Sequence, residues 1–387
     1  MQQFDLIIVG GGLAGASLAV ALRESRLRIA LVETCAPQPP EGWDARIYAI
    51  SPANAEYLQR IGAWEHLDRE RMAPIRAMEV FGDQGGRLAF SAYETGVAEL
   101  GWILESSLMA RELWESVKRQ ANVTRFCPAR PARLEFRHDA AVLTLEEGAV
   151  LSARLLAGAD GRDSWVRRQA GLEAHITPYE EKGVVANFAT EKPHRGIAYQ
   201  WFRADGVLAY LPLPGRRMSI VWSTPDAQAD ELCALPPAAL AERVAAAGGE
   251  MLGRLETLTP AAAFALRLIR VPRTVAPRLA LLGDAAHGIH PLSGHGINLG
   301  FQDAKVLAGL LAGAQPWQDI GEERFLQRYQ RARQEETRLM QGTTDALRRL
   351  FRANLPGLAP LRNLGLSLTD RLAPLKSQLV RYALGAF

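Results

Sequence analysis

Residues 4–33 read FDLIIVGGGLAGASLAVALRESRLRIALVE, and their order of strand, turn, helix and strand decides the fold. Leu6 to Val9 form a continuous apolar run, as expected of a parallel strand buried on both faces. Gly10, Gly12 and Gly15 then fit G-x-G-x-x-G. Gly10 permits the tight turn, Gly12 lets the backbone approach a pyrophosphate, and Gly15 lets helix and strand pack closely. Leu13 and Ala14 open a helix whose free N–H groups and positive dipole end face those phosphates. A second strand, RIALVE, ends in Glu33, about 18 residues past Gly15, where a carboxylate accepts hydrogen bonds from an adenosine ribose. A glycine triplet alone is an ordinary turn. In this setting it predicts dinucleotide binding, without distinguishing NAD from FAD.

Beyond Glu33 the chain is no simple alternation of strands and helices. A loop leads into DARIYAISPANAEYLQRIGAW (44–64), and strand-like stretches follow at 75–83 and 87–92. A helical pattern returns around 105–120, and LLAGADGRDSWVRRQAG (155–171) gives a strand end, Asp160-Gly161, and a helix. Four alternating runs between 183 and 223 (GVVANFAT, IAYQWFR, VLAYLPLPG, RMSIVWS) then predict an antiparallel sheet. The expected architecture is a dinucleotide-binding domain interrupted by a β-rich insertion.

Residues 281–304, LLGDAAHGIHPLSGHGINLGFQDA, resume the nucleotide-domain style and carry three histidines. His287 and His290 are three apart, which invites a metal, but no cysteine or third ligand accompanies them, and no metal site is expected. A histidine base is a second reading, since imidazole titrates near neutral pH. A structural role, with His287 holding the loop by hydrogen bonds, is the favoured one.

Three motifs in order, G-x-G-x-x-G at 10–15, the Asp160-Gly161 segment and GDAAH…P…G-x-G-x-N from Gly283 to Asn298, span nearly the whole chain. With them the chain resembles the class A flavoprotein aromatic hydroxylases. DARIYAIS and the terminal DRLAPLKSQLVRYALG resemble the ubiquinone-biosynthesis flavin hydroxylases in particular. The resemblance implies an α/β fold: a Rossmann-like FAD-binding domain, an inserted antiparallel β-sheet substrate domain and a C-terminal helical segment. FAD-binding parts are expected at 1–74, 99–175 and 272–340, substrate-domain parts at 75–98 and 176–271, and a basic amphipathic helical segment at 341–387.

The same resemblance implies FAD as cofactor, NAD(P)H as co-substrate, and O2 as oxidant, acting through a flavin C4a-hydroperoxide. Asp284 would bind the ribityl hydroxyls, and Gly283, Pro291, Gly294, Gly296, Ile297 and Asn298 would shape the turn and helix start facing the flavin ring. Reduced flavin gains negative charge at N1 and O2, which N–H groups and a helix dipole stabilise. Arg46 would reach the flavin or its phosphates, Asp160 and Gly161 would lie where FAD and the nicotinamide approach, and Ser106 is a looser match. His295 stands where relatives commonly carry glutamine, and with His287 it is the weak candidate for a catalytic side chain. The substrate pocket is expected between flavin and sheet, with Tyr199, Trp201, Phe202, Tyr210 and Leu211 as lining candidates.

Composition constrains the rest. The chain has 387 residues, 48% hydrophobic and 22% charged, with a net charge of +3, an ordinary globular balance that gives no sign of a nucleic-acid partner. Cys35, Cys127 and Cys233 are scattered, which fits a reducing cytoplasm. The N-terminus opens on a strand rather than a signal peptide, and no apolar run approaches the ~20 residues of a membrane span. Residues 346–387 carry Arg348, Arg349, Arg352, Arg362, Arg371, Lys376 and Arg381 against one acid, Asp370, with leucines between. That pattern either lies on the anionic inner face of a membrane or packs on the core.

The leading reading is hydroxylation of a prenylated phenol in ubiquinone biosynthesis, alongside other proteins of that pathway. A flavin hydroxylase of another aromatic ring, a nicotinamide-only dehydrogenase, and a noncatalytic FAD subunit of a membrane-associated assembly are the alternatives.

Overall fold

The computed structural model describes residues 1–38, 42–290, 294, 296–353 and 357–371, without the side chain of Arg371. Among the described residues the chain forms an eight-stranded sheet, a nine-stranded sheet and a small three-stranded one. The central strand of the first, Gln2–Val9, pairs in parallel with Ile29–Val32 on one side and Val150–Gly158 on the other. Its apolar run is continuous because both faces are covered. Leu6 and Ile8 join the cluster that includes Leu18 and Phe301 of two helices, and Ile7 and Val9 join Leu143, Leu151 and Val166.

Two glycines fit this packing. Gly10 turns with φ +103°, and a Cβ there would stand 2.4 Å from the Ala159 carbonyl oxygen. A Cβ on Gly15 would stand 1.9 Å from the Gly10 oxygen, so the helix Leu13–Ala21 rests backbone against backbone on the loop.

The nine-stranded sheet runs in the order His287–Gly288, Ala262–Arg270, His175–Thr190, Arg217–Pro225, Gly206–Leu213, Ile197–Arg203, Ala77–Phe81, Arg87–Ser91, with Leu255–Thr257 pairing His175–Thr190. Its strands alternate. One face buries Phe188, Tyr210 and Trp222 against helices Asp226–Ala234 and Pro237–Ala247. The three-stranded sheet of Ile47–Ile50, Gly101–Glu105 and Ala73–Ile75 packs on the large one where Ile47, Ile75 and Ile103 meet Ala198 and Leu213.

The stretch that begins at Leu281 leaves one sheet and reaches the other within six residues. Leu279–Leu281 pairs with Val150–Gly158, whereas His287 and Gly288 pair with Arg270 and Ile269. The helix Gly296–Ala312 then returns to pack on Leu13–Ala21. The last long helix, Glu323–Arg352, passes through residue 340 without a break, so a segment boundary drawn there falls inside a helix.

The helix Leu358–Arg371 docks on the hairpin of strands Ala77–Phe81 and Arg87–Ser91. Asn363 Oδ1 accepts from the amides of Gln84 (3.1 Å) and Gly86 (2.9 Å), Arg362 pairs with Asp83, and Asp370 accepts from the Ala89 amide at 3.0 Å. Residues 372–387, with Lys376 and Arg381, lie outside the described residues. No helix among the described residues is long and apolar enough to cross a membrane.

Gly15→Ala is expected to destabilise the protein by at least about 2 kcal/mol, because only backbone is available to yield. Thermal unfolding checks this, and an unchanged midpoint would show that the helix can retreat at no cost.

Candidate cofactor and active site

A cavity of about 810 Å³ lies between the glycine loop and the large sheet. At one end its wall is Gly12, Leu13 and Ala14, so the first turn of the helix opens into it. A Cβ on Gly12 would meet no protein atom within 4 Å. The protein therefore leaves a backbone-lined cradle where a pyrophosphate would rest. Gly10 and Gly15 pack behind that cradle. Glu33 stands behind it too, accepting from the amides of Gly11 (2.5 Å) and Thr34 (2.7 Å).

Gly283, Asp284, Gly294, Gly296, Ile297 and Asn298 line the next part of the wall, with Ser106 and Gly161 on it as well. Pro291 and His295 lie outside the described residues. Asp160 does not line the cavity. Its carboxylate accepts from Ser164 Oγ (2.5 Å) and the Val166 amide (2.9 Å), capping the helix Trp165–Gln169. Its neighbours Ala159 and Gly161 reach the wall, so the segment borders the cavity while the Asp160 side chain holds the helix.

Asn298 lines the cavity, and its side chain also holds the helix start in place. Its Oδ1 accepts from the Ser51 amide and from Asn54 Nδ2, both at 3.0 Å, and its Nδ2 donates to the Ala49 oxygen at 2.7 Å. The side chain stitches the helix Gly296–Ala312 to the strand Ile47–Ile50, and Gln302 Nε2 extends the stitch to Asn54 Oδ1 at 2.8 Å.

At the start of that strand Arg46, expected from sequence, meets Tyr48, which was not. Arg46 and Tyr48, two apart and so on one face, both line the cavity, with the Arg46 guanidinium 5.5 Å from the Tyr48 ring centre. Tyr48, and then Asp284 and Asp44, hold Arg46 above its ordinary value, and burial pushes the Tyr48 phenol up. The cavity thus presents a fixed cation and a neutral phenol near the Asp284 carboxylate.

Asp44 anchors the loop, accepting from the Arg46 amide (2.8 Å) and the Ser107 amide (3.0 Å), while its own amide donates to Glu105 at 2.6 Å. Glu105 is fully buried and held by two bonds from Arg71. The partners are more than 30 residues apart, so no local pattern could reveal them.

The two described histidines have different partners. His287 Nε2 lies 2.6 Å from Asp303 Oδ2, which also accepts from the Gly283 amide at 2.9 Å, and Asp303 Oδ1 accepts from Arg333 at 2.7 Å. Burial alone would push His287 down, but the Asp303 carboxylate outweighs it and holds the ring above its ordinary value. Burial would raise Asp303, and His287 and Arg333 together pull it down. His287 also lines the cavity, and with its Nε2 committed to Asp303 the ring holds the loop, as the structural reading expects. His290 lies 3.2 Å from Glu181, whose other oxygen receives Arg348 (3.1 Å) and Arg352 (2.8 Å). With two arginines on that carboxylate, burial dominates at His290 and lowers it.

The far wall is the large sheet, where Val185, Ala198, Val207, Ala209, Leu211 and Val221 face the cavity. Leu211 is on it. Tyr199, Trp201, Phe202 and Tyr210 are not, and their assignment as pocket lining is corrected. Side chains alternate along a strand, so Ala198 and Gln200 face the cavity while Tyr199 and Trp201 face the helices. Tyr210 donates to the Val244 oxygen in the adjoining helix at 2.5 Å, and Phe202 stacks on Phe351 at 3.8 Å. Tyr199, Trp201 and Tyr210 belong to the core on the sheet's other face, and small aliphatic residues leave room for a ligand.

The ion pair makes a pH signature. The raised His287 stabilises the fold fully below the ordinary histidine value of about 6.5 and loses that contribution as pH rises through its folded value. The depressed Asp303 contributes fully above the ordinary aspartate value of about 3.9 and loses it as pH falls. Both act together between about pH 4 and 6.5. Thermal midpoints measured from pH 6.5 to 9 should fall less in His287→Gln than in the parent. Asp303→Asn should cost on the order of 3–5 kcal/mol by removing the buried charge that pairs with both His287 and Arg333; a parallel pH profile in the histidine variant would refute the pairing.

Residues 3–343 match the family model described as an FAD binding domain. The chain is 36% identical over 98% of its length to the ubiquinone hydroxylase UbiL of Rhodospirillum rubrum, covering 89% of that protein. It is 34% identical to the 3-demethoxyubiquinol 3-hydroxylase of Escherichia coli, covering 99% of both chains. In fold it matches the p-nitrophenol 4-monooxygenase PnpA of Pseudomonas putida with a TM-score of 0.80, full coverage of both chains and 17% identity. The cradle at Gly12, the open backbone around Gly296 and the Asp284 carboxylate fit an FAD. The chain belongs to the FAD-binding-domain family, among the flavin hydroxylases that include the ubiquinone hydroxylases.

Proposed function

We propose that this protein is an FAD-dependent monooxygenase that uses NAD(P)H and O2 to hydroxylate the aromatic ring of a prenylated phenol in ubiquinone biosynthesis. One observation carries the reading: a single cavity runs from the glycine cradle to a wall of small aliphatic side chains. When bound, FAD takes a hydride from NAD(P)H and delivers one oxygen atom of O2 to an electron-rich ring, the other leaving as water. The protein's part is to bind, orient and keep dry.

The helix starting at Leu13 receives the pyrophosphate, Asp284 accepts from hydroxyls, and the N-terminal turn at Gly296 offers N–H groups and a positive dipole end to the reduced ring. Arg46 adds a fixed positive charge. The aliphatic wall excludes water and suits an apolar ring with a hydrocarbon tail.

Lipid extracts from a strain lacking the protein should accumulate a prenylphenol short of one hydroxyl. In the purified protein Asp284→Ala should cut bound flavin at least tenfold, and a short-chain prenylphenol should accelerate NAD(P)H oxidation. Normal quinones together with oxidation that no prenylphenol accelerates would overturn the assignment.

A lipid substrate calls for a lipid-facing surface, and the C-terminal helices supply the leucines for one. Leu361, Leu364 and Leu368 are 64%, 63% and 51% exposed and share a face of Leu358–Arg371 by their spacing. Among the described residues, Arg348 and Arg352 are engaged with Glu181, Arg349 with Asp345 and Arg362 with Asp83. The contact proposed for this face is apolar. The protein should float with zwitterionic vesicles, and replacing the three leucines by glutamine should abolish flotation at unchanged flavin content. Equal flotation of the variant would remove this surface from the proposal.

A further inference from the structure

The aliphatic wall contains one amide. Gln200 lies on the strand Ile197–Arg203, is 7% exposed and lines the cavity, on the opposite face from Tyr199 and Trp201. Every side chain that flanks it on that face is apolar. Ala198 and Phe202 precede and follow it, Ala209 is its partner on one neighbouring strand and Val80 its partner on the other. None of these can donate or accept. Among the described residues the Gln200 amide has no hydrogen-bond partner.

Buried amides are nearly always paired, because leaving them bare in an apolar setting costs their full hydration. The strand already has its backbone ladder, and a leucine or valine would continue the wall without that cost. An amide placed there, aimed into the ligand cavity, is explained by a ligand group that completes it. The chemistry of that group follows from the surroundings. An amide carries both a donor and an acceptor, and no charged side chain flanks it on the sheet, so its complement is a neutral hydroxyl rather than a carboxylate.

We infer that Gln200 is a specificity-determining residue whose side-chain amide pairs with the phenolic oxygen of the substrate, orienting the ring on the aliphatic wall. This rests on the function proposed above and names how its substrate is recognised. Oε1 accepts the phenol O–H and Nε2 donates to the same or an adjacent ring oxygen. Ala198 and Ala209 leave the space beside the amide for a flat ring, and Leu211 and Val221 continue the wall for the hydrocarbon tail. A site that hydrogen-bonds a hydroxyl discriminates against the analogue lacking it far better than a greasy slot discriminates one methyl group.

The test compares two probes, 2-geranylphenol and its methyl ether, binding to flavin-loaded protein and followed by the change in flavin absorbance. The parent should bind the phenol at least about tenfold more tightly than the ether. Gln200→Leu should bring that ratio close to one while flavin content stays normal and the thermal midpoint is equal or higher, since an unpaired amide is removed. Gln200→Met, which keeps the length and loses the polarity, is the second variant should leucine disturb flavin loading. Turnover of the phenol should fall in parallel. A parent that discriminates and variants that discriminate equally would overturn the role of Gln200 and leave the hydroxylase reading intact. A parent that binds both probes alike would overturn it too. A parent that binds neither probe and hydroxylates no prenylphenol would overturn the function itself.

Discussion

The buried carboxylate of Asp303 holds the molecule's two halves in register. Only 1% exposed, it receives the Gly283 amide, the His287 ring and the Arg333 guanidinium. Those groups come from the loop after the nucleotide sheet, from the short strand that joins the large sheet, and from the long C-terminal helix. A buried charge of this kind is tolerated only because it is paired on both oxygens. Its consequence is positional: Asp284 is carried to the cavity wall by neighbours clamped on either side. The Asn298 stitch to Ser51 and Ala49 does the same for Arg46 and Tyr48.

Such clamps give several polar residues of the motif loops a holding role. A ligand that lies against backbone needs that backbone held rigid, and the side chains available for holding it are those in the same loops. Asp160 caps a helix, Asp44 orders the turn before Arg46, and Glu33 collects amides behind the glycine loop. Glycine and alanine backbone then faces the cavity beside Arg46, Tyr48 and Asp284.

The large sheet divides its labour by parity. One set of alternate residues makes an aromatic core with two helices, and the other set makes a thin aliphatic wall. The C-terminal helices complete the enclosure from outside, with Phe351 on Phe202 and Asn363 capping the turn between Phe81 and Arg87. Among the described residues, Arg348, Arg349, Arg352 and Arg362 pair with acids of the chain. Leucines lie exposed on the helix Leu358–Arg371.

From its sequence alone the protein declared its fold class, because glycine spacing and a doubly buried apolar strand have few structural solutions. The motif order, with the full-length resemblance it carries, also pointed to a flavin, since a dinucleotide turn and the 283–298 loop serve one ligand from two sides. What sequence could not decide was direction. Tyr199 and Gln200 are neighbours in an alternating run, and nothing local says which faces a ligand; that depends on which side of the sheet the helices 226–247 cover. Nor could it decide partnership. His287 finds Asp303 sixteen residues on and Arg333 follows thirty later, while Glu105 meets Arg71 across 34 residues. Charges separated along the chain pair only when packing brings them together, and packing is a property of the whole fold.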